Sequence, residues 1–154
     1  MDLEELGQYK ETFPKYYTAF IDLLSKNLEG LDKKFVFLSK NYVVETSVSS
    51  KKGSPVTTVG KKFRSISAFV ITERYIFEFE LSEDAVRYDV ALTSSVVRIE
   101  LKESENTSLL SLTHALGALA TYSNMFGYSD LEKAELNKIK EFFFKKLGGG
   151  VGTK

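Results

Sequence analysis

The sequence predicts an α+β domain: an antiparallel sheet of about six to seven strands, packed by an N-terminal helix and a long C-terminal amphipathic helix. Three observations carry this. Between Ser65 and Lys102 large apolar residues fall on every second position, as Tyr75, Phe77, Phe79 and Leu81, then Val86, Tyr88, Val90 and Leu92, then Val97, Ile99 and Leu101. The corners between these runs, Thr72-Glu73-Arg74 and Ser82-Glu83-Asp84, are short and polar, which suits hairpins and leaves no room for crossovers. On either side lie stretches whose apolar residues recur at three and four instead of two.

Taken in order, a first helix is expected over Phe13–Leu28. Thr12 is its cap, Pro14 lies in its first turn, Tyr17, Phe20, Ile21, Leu24 and Leu28 form its apolar face, and Gly30 stops it. Residues 2–10 are expected to form only a short preceding turn. Two strands follow, Lys34–Ser39 and Tyr42–Val48, with Lys40-Asn41 as their corner. Ser49–Gly60 reads as a mobile loop, in which Pro55–Val59 can add an edge pairing. Ser65–Ile71 is apolar enough for a central strand. In the strands that follow, Glu78, Glu80, Arg87, Asp89, Arg98, Glu100 and Lys102 occupy the alternate places and are expected on a wet face.

Leu109–Ser123 fits either two short strands, Leu109–His114 and Leu119–Ser123, or one helix; two strands are expected, and the helix stays open. The last helix is marked by Ser129 with Glu132 as a capping box and by a face of Leu136, Ile139, Phe143 and Leu147 widened by Phe142. Gly148 ends it. Residues 1–148 read as a single domain and 149–154 as a disordered glycine-rich tail.

Composition bounds the function. With 43% apolar and 13% aromatic residues in 154, the chain buries a core, and it has no apolar run long enough to span a bilayer. No basic-then-apolar leader is present and there are no cysteines, so a cytoplasmic home without disulfides or thiolate chemistry is expected. Twenty-one basic residues balance twenty-one acidic ones, which argues against bulk affinity for nucleic acid. The charge is uneven, however. Lys51, Lys52, Lys61, Lys62 and Arg64 fall together with no acidic residue among them, whereas Glu73–Glu105 holds nine acidic and four basic residues.

Chemistry is sparse. His114 is the lone histidine, so no metal site of histidines or cysteines is expected, and no catalytic residue, metal or cofactor is assigned. The Gly148–Lys154 tail has a phosphate-loop composition, but it follows a helix and reverses the Lys and Thr order such a loop needs. The basic residues Lys51, Lys52, Lys61, Lys62 and Arg64, with Phe63 among them, are the candidate site for an anion or an anionic surface.

The run Ala68-Phe69-Val70-Ile71-Thr72-Glu73-Arg74-Tyr75-Ile76-Phe77, followed by Val90-Ala91-Leu92 and Val97-Arg98-Ile99-Glu100, resembles a hairpin and strand pair of prokaryotic pleckstrin-homology-like (PH-like) domains. Lys62-Phe63-Arg64-Ser65-Ile66 is similar to the basic alternation some members direct at phosphoinositides. The resemblance spans Lys34–Leu147 and implies a strongly bent antiparallel sheet closed by a C-terminal helix; the helix before the sheet departs from it. The expected function is a non-enzymatic binding or scaffolding module that engages a protein partner or an anionic lipid surface, with homo-oligomers open. The alternative is a small-molecule carrier with an apolar cavity between curved sheet and C-terminal helix.

Overall fold

The computed structural model describes residues 3–51 and 53–149. Seven antiparallel strands form two sheets. One sheet has the order β1 (Lys33–Lys51), β2 (Ser54–Thr72), β3 (Tyr75–Ser82), β4 (Val86–Leu92); the other has the order β5 (Val96–Glu103), β6 (Ser108–Leu116), β7 (Leu119–Gly127). The division falls at a 3-10 turn, Thr93–Ser95. There the buried Thr93 donates its N–H to Arg74 O (2.8 Å) and its hydroxyl to Glu73 O (2.8 Å). This pins the chain to the β2–β3 corner and turns it out of the first ladder.

β2 explains the layering. From Ser65 to Thr72 every residue is buried, because both faces of the strand are covered. Ile66, Ala68 and Val70 face outward, with Phe77, Phe79 and Leu81 of β3, beneath the N-terminal helices. Phe69 and Ile71 face inward, with Phe37 and Ile76, onto Val96, Leu110, Leu112 and Met125 of the second sheet. The outer lid is α1 (Leu3–Leu6), α2 (Tyr9–Thr12) and α3 (Tyr17–Leu28). Phe20 and Leu24 of α3 are fully buried, and each contributes about 1.5–3 kcal/mol by leaving water. The inner core is completed by Leu136, Ile139 and Phe143 of α4 (Asp130–Phe144). The two terminal helical segments therefore seal different faces.

Several boundaries differ from expectation for identifiable reasons. Thr12 does not cap α3; it closes α2, and α3 begins at Tyr17 without a side-chain cap. Tyr9 and Phe13, whose rings lie 5.9 and 5.3 Å from Phe63, hold the preceding turn separately and override the local signal. Lys40-Asn41 is no corner: β1 runs on for 19 residues. Asn41 stays in the ladder by donating its side-chain amide to Ser65 and Ser67, both at 3.0 Å. The register shift beside it leaves Arg64 unopposed as a bulge. That extra residue lets Phe63 and Ile66, of opposite parity, both face the N-terminal helices.

Ser49–Gly60 is not a loop but the end of the β1–β2 hairpin, paired from Ser49↔Val56 to Lys51↔Ser54, with Gly53 at φ 79° in the turn. In β5 a second bulge buries Val96 and leaves Val97 56% exposed, reversing the expected phase at that end.

Leu109–Ser123 is a hairpin of two strands, longer than expected. Gly117, awkward inside any element, takes φ 61° at its turn. At α4 both halves of the capping box form: Ser129 Oγ accepts from Glu132 N at 3.1 Å, and Glu132 Oε1 accepts from Ser129 N at 3.0 Å. Leu147 lies beyond the packed face and is 43% exposed, and Gly148 ends the helix at φ 90°. Residues 150–154 of the expected tail lie outside the described residues. Among the described residues no helix is long and apolar enough to cross a membrane.

Candidate functional site

The distal β1–β2 hairpin departs most from ordinary packing. Beyond Tyr42 and Phe63 the two strands leave the body and form a ribbon whose described residues are almost all exposed. The nine steps from Tyr42 to Lys51 at about 3.3 Å each give an arm about 30 Å long. Directly opposed residues share a face, so the pairs Val44↔Lys61, Thr46↔Val59 and Val48↔Thr57 line one side. Val44, Val48 and Val59 there are 68%, 66% and 67% exposed. This side continues the face that the N-terminal helices cover up to Phe63. The other side carries Val43↔Lys62, Glu45↔Gly60 and Ser47↔Thr58 and is mainly polar.

Of the five candidate basic residues, the four whose backbone is described lie on or beside this arm but do not converge. Lys61 and Lys62 sit at its base on opposite faces, and Lys62 makes only an exposed 3.8 Å contact with Glu45. Arg64, at the bulge, forms none of the ion pairs among the described residues. The backbone of Lys51 lies at the far end, about 23 Å from the Val44–Lys61 pair at strand rise. Lys52 lies outside the described residues. Between Tyr42 and Arg64 the single acidic residue is Glu45, so the arm carries a surplus of positive charge in a chain whose total is zero.

A second feature lies at the seam of the two sheets. Sequence alternation places Glu78 and Glu80 on a wet face; in the structure they point inward, and their side chains are only 17% and 24% exposed. Arg87 binds both, at 3.1 Å each, and lies 4.0 Å from Asp89. Ser65 donates to Glu80 (2.7 Å) and Ser67 to Glu78 (3.1 Å). Asn41 bridges the two serines, Ser39 donates to Asn41 (3.2 Å), and Phe126 N of β7 donates to Ser39 Oγ (2.9 Å). A polar row thus crosses all four strands and reaches the second sheet. Burial pushes the Glu78 carboxyl above its usual range, against the opposing pull of the Arg87 charge and the Ser67 hydroxyl. For Arg87, burial alone favours loss of the proton, but the charge of Glu78 and the hydrogen bond to Glu80 outweigh it and hold the guanidinium above its ordinary value.

Over this floor opens a cleft of about 450 Å³, walled by Tyr122, Asn124 and Phe126 of β7 and rimmed by Tyr42 and Arg64. Beside it His114 is 2% exposed, with Nδ1 3.0 Å from Ser95 Oγ and Nε2 2.8 Å from Ser123 Oγ. Burial lowers its pKa, with Asp89 opposing. Both ring nitrogens are engaged, and the adjoining cavity, about 10 Å³, holds a single water at most. The 450 Å³ cleft is polar and lies between the sheets; the core under α4 is filled by Phe37, Phe69, Leu110, Met125 and Phe143, and a smaller surface pocket of about 300 Å³, lined by Val36, Phe37, Leu38 and Leu131 with Glu5, Glu132 and Glu135, opens beside the start of α4. Among the described residues no group of three or more His, Asp or Glu is arranged to hold a metal ion.

Comparison with protein-family models, curated proteins and solved structures finds no match for this chain.

Sequence reasoning located the basic residues but missed the cleft. Its signal was a polar pair at i and i+2 in each of four successive strands: Ser39/Asn41, Ser65/Ser67, Glu78/Glu80 and Arg87/Asp89.

Proposed function

We propose that this chain is a non-enzymatic, PH-like binding module whose β1–β2 arm docks on an anionic lipid surface. The division of seven antiparallel strands into four and three, followed by a C-terminal helix packed on them, supports the PH-like reading. The observation that carries the function is the arm itself. Its valines are exposed where folding alone favours polar residues, and its lysines are spread over both faces and about 20 Å of length. That spread suits an extended charged surface better than a single phosphate. The satisfied, enclosed His114 supports a structural role for the only histidine.

The test is co-sedimentation with phosphatidylcholine vesicles, with and without phosphatidylserine, at low and high salt. Binding is expected only to the anionic vesicles and is expected to weaken with salt. Each lysine is worth about 1 kcal/mol near such a surface, so Lys61→Glu with Lys62→Glu lowers binding at least about thirtyfold. Equal binding to neutral vesicles, or indifference to the charge reversal, refutes the reading.

A further inference from the structure

We infer that the inter-sheet cleft is a second binding site, separate from the arm, and that it takes a neutral, hydroxyl-rich small molecule such as a monosaccharide. Its size is the first reason. About 450 Å³ lies within the range of small-ligand clefts, which run from about 300 to 1,000 Å³, and holds a sugar ring with room to spare.

The lining chemistry is the second. It combines two carboxylates, two guanidinium groups, two asparagines and a serine with the rings of Tyr42, Tyr122 and Phe126. Carboxylate and guanidinium groups present paired acceptors or paired donors in a plane, the spacing at which vicinal hydroxyls sit. Aromatic faces cover the C–H faces of such a ring.

Charge balance selects against the alternatives. Arg87 is already shared between Glu78 and Glu80, and these carboxylates also accept from Ser67 and Ser65. A charged ligand at the floor competes with the pairs that Arg87 makes with Glu78 and Glu80 and finds only Arg64, at the rim, outside the ion pairs of the described residues, whereas a neutral hydroxyl inserts a donor and an acceptor without displacing a pair. The remaining hydrogen-bonding capacity is of the required kind. Asn124 accepts from Ser111 Oγ through its carbonyl, which leaves its NH₂ to donate. Arg64 and the hydroxyl of the exposed Tyr122 stand at the rim. The floor is held fixed by the row from Arg87 to Ser39, so the site is formed before a ligand arrives. Apart from Tyr42 and Arg64, which stand at the base of the arm, none of these groups is on it, so the cleft stays open whether or not the distal arm meets a membrane.

The experiment is an amide NMR titration of the full chain with D-glucose, D-galactose, N-acetyl-D-glucosamine and myo-inositol, using glycine, sodium phosphate and glycerol as chemical controls. At least one cyclic polyol is expected to shift amides of Asn41, Ser65, Ser67, Glu78, Glu80 and Tyr122–Phe126 at millimolar concentration. Glu78→Gln and, independently, the surface change Tyr122→Ala are expected to weaken that binding tenfold or more while the remaining spectrum is preserved. Tyr122 takes no part in the buried row, so this arm of the test does not depend on Glu78→Gln folding. The inference is overturned if none of the four polyols moves these amides, if Tyr122→Ala leaves the shifts unchanged, or if glycine, phosphate or glycerol moves the same amides as strongly.

Discussion

Replacing Arg87 by methionine tests whether the inter-sheet row is held by charge. The guanidinium is the counter-ion of Glu78 and Glu80, whose side chains are only 17% and 24% exposed. Removing one partner of a fully buried pair costs about 3–5 kcal/mol. Half of the Arg87 side chain is in water, so solvent screening reduces the expected loss to about 1–2 kcal/mol. Its pH dependence distinguishes charge from packing. Burial already lifts the Glu78 carboxyl, and the Arg87 charge is the largest influence opposing that lift. Without it the folded-state pKa rises further above the unfolded value. In the window between the two, the native state binds more protons than the unfolded one, so stability is retained at the acidic end and lost as pH rises through the folded pKa. The deficit of Arg87→Met is therefore expected to be largest at about pH 8 and to contract towards about pH 5. Adding Glu78→Gln recovers a large part of it at the higher pH. Urea unfolding followed by far-ultraviolet circular dichroism at both pH values, on the wild type, both single variants and the double variant, supplies the cycle. A deficit independent of pH, or a double variant less stable than Arg87→Met, refutes an electrostatic role for the row.

Two further expectations concern other parts of the fold. Burial lowers the His114 pKa, so below its ordinary value of about 6.5 the unfolded state takes up a proton that the native state resists. This contribution is intact above that value and is lost as pH falls; an NMR titration of the imidazole should give a midpoint below about 6.5, and one at or above it contradicts the buried, doubly bonded ring. Ser129→Ala removes the acceptor for Glu132 N and should cost about 1 kcal/mol in urea unfolding, whereas Ser129→Asp should retain most of the stability; equal losses would deny the cap its role.

The parts of the fold legible in the sequence are those where local chemistry and tertiary context agree. The β3 alternation, the Ser129–Glu132 cap, the Gly148 stop and the Leu109–Ser123 hairpin each satisfy a local rule that the packing also satisfies. Boundaries failed where long-range contacts outweighed local propensity. Lys40-Asn41 has turn composition, but amide bonds from Asn41 to serines 24 and 26 residues away keep it in the ladder. Thr12-Phe13-Pro14 has helix-start composition, but Phe13 is held against Phe63, fifty positions on. Bulges at Arg64 and Val97 each flip the alternation by one residue, and a one-residue flip exchanges the faces of everything beyond it.

The arm and the cleft share one cause for having been misread. A period-2 pattern states which residues lie together on a face, but not which face meets the core. In β3 and β4 the alternation assigns the polar set Glu78, Glu80, Arg87 and Asp89 to the wet side, because a second sheet over it is not foreseeable from spacing. In the distal hairpin Val44 and Val48 fall in the expected strand Tyr42–Val48 and Val59 in the expected loop Ser49–Gly60, so the spacing does not bring the three onto one face. The structure inverts the ordinary arrangement in both places, with charge turned towards the interior and valine turned towards water. Stability alone selects against each inversion, since the first desolvates carboxylates and the second leaves apolar surface hydrated. A fold that gives up stability in two places is what the binding roles proposed for the arm and the cleft would account for.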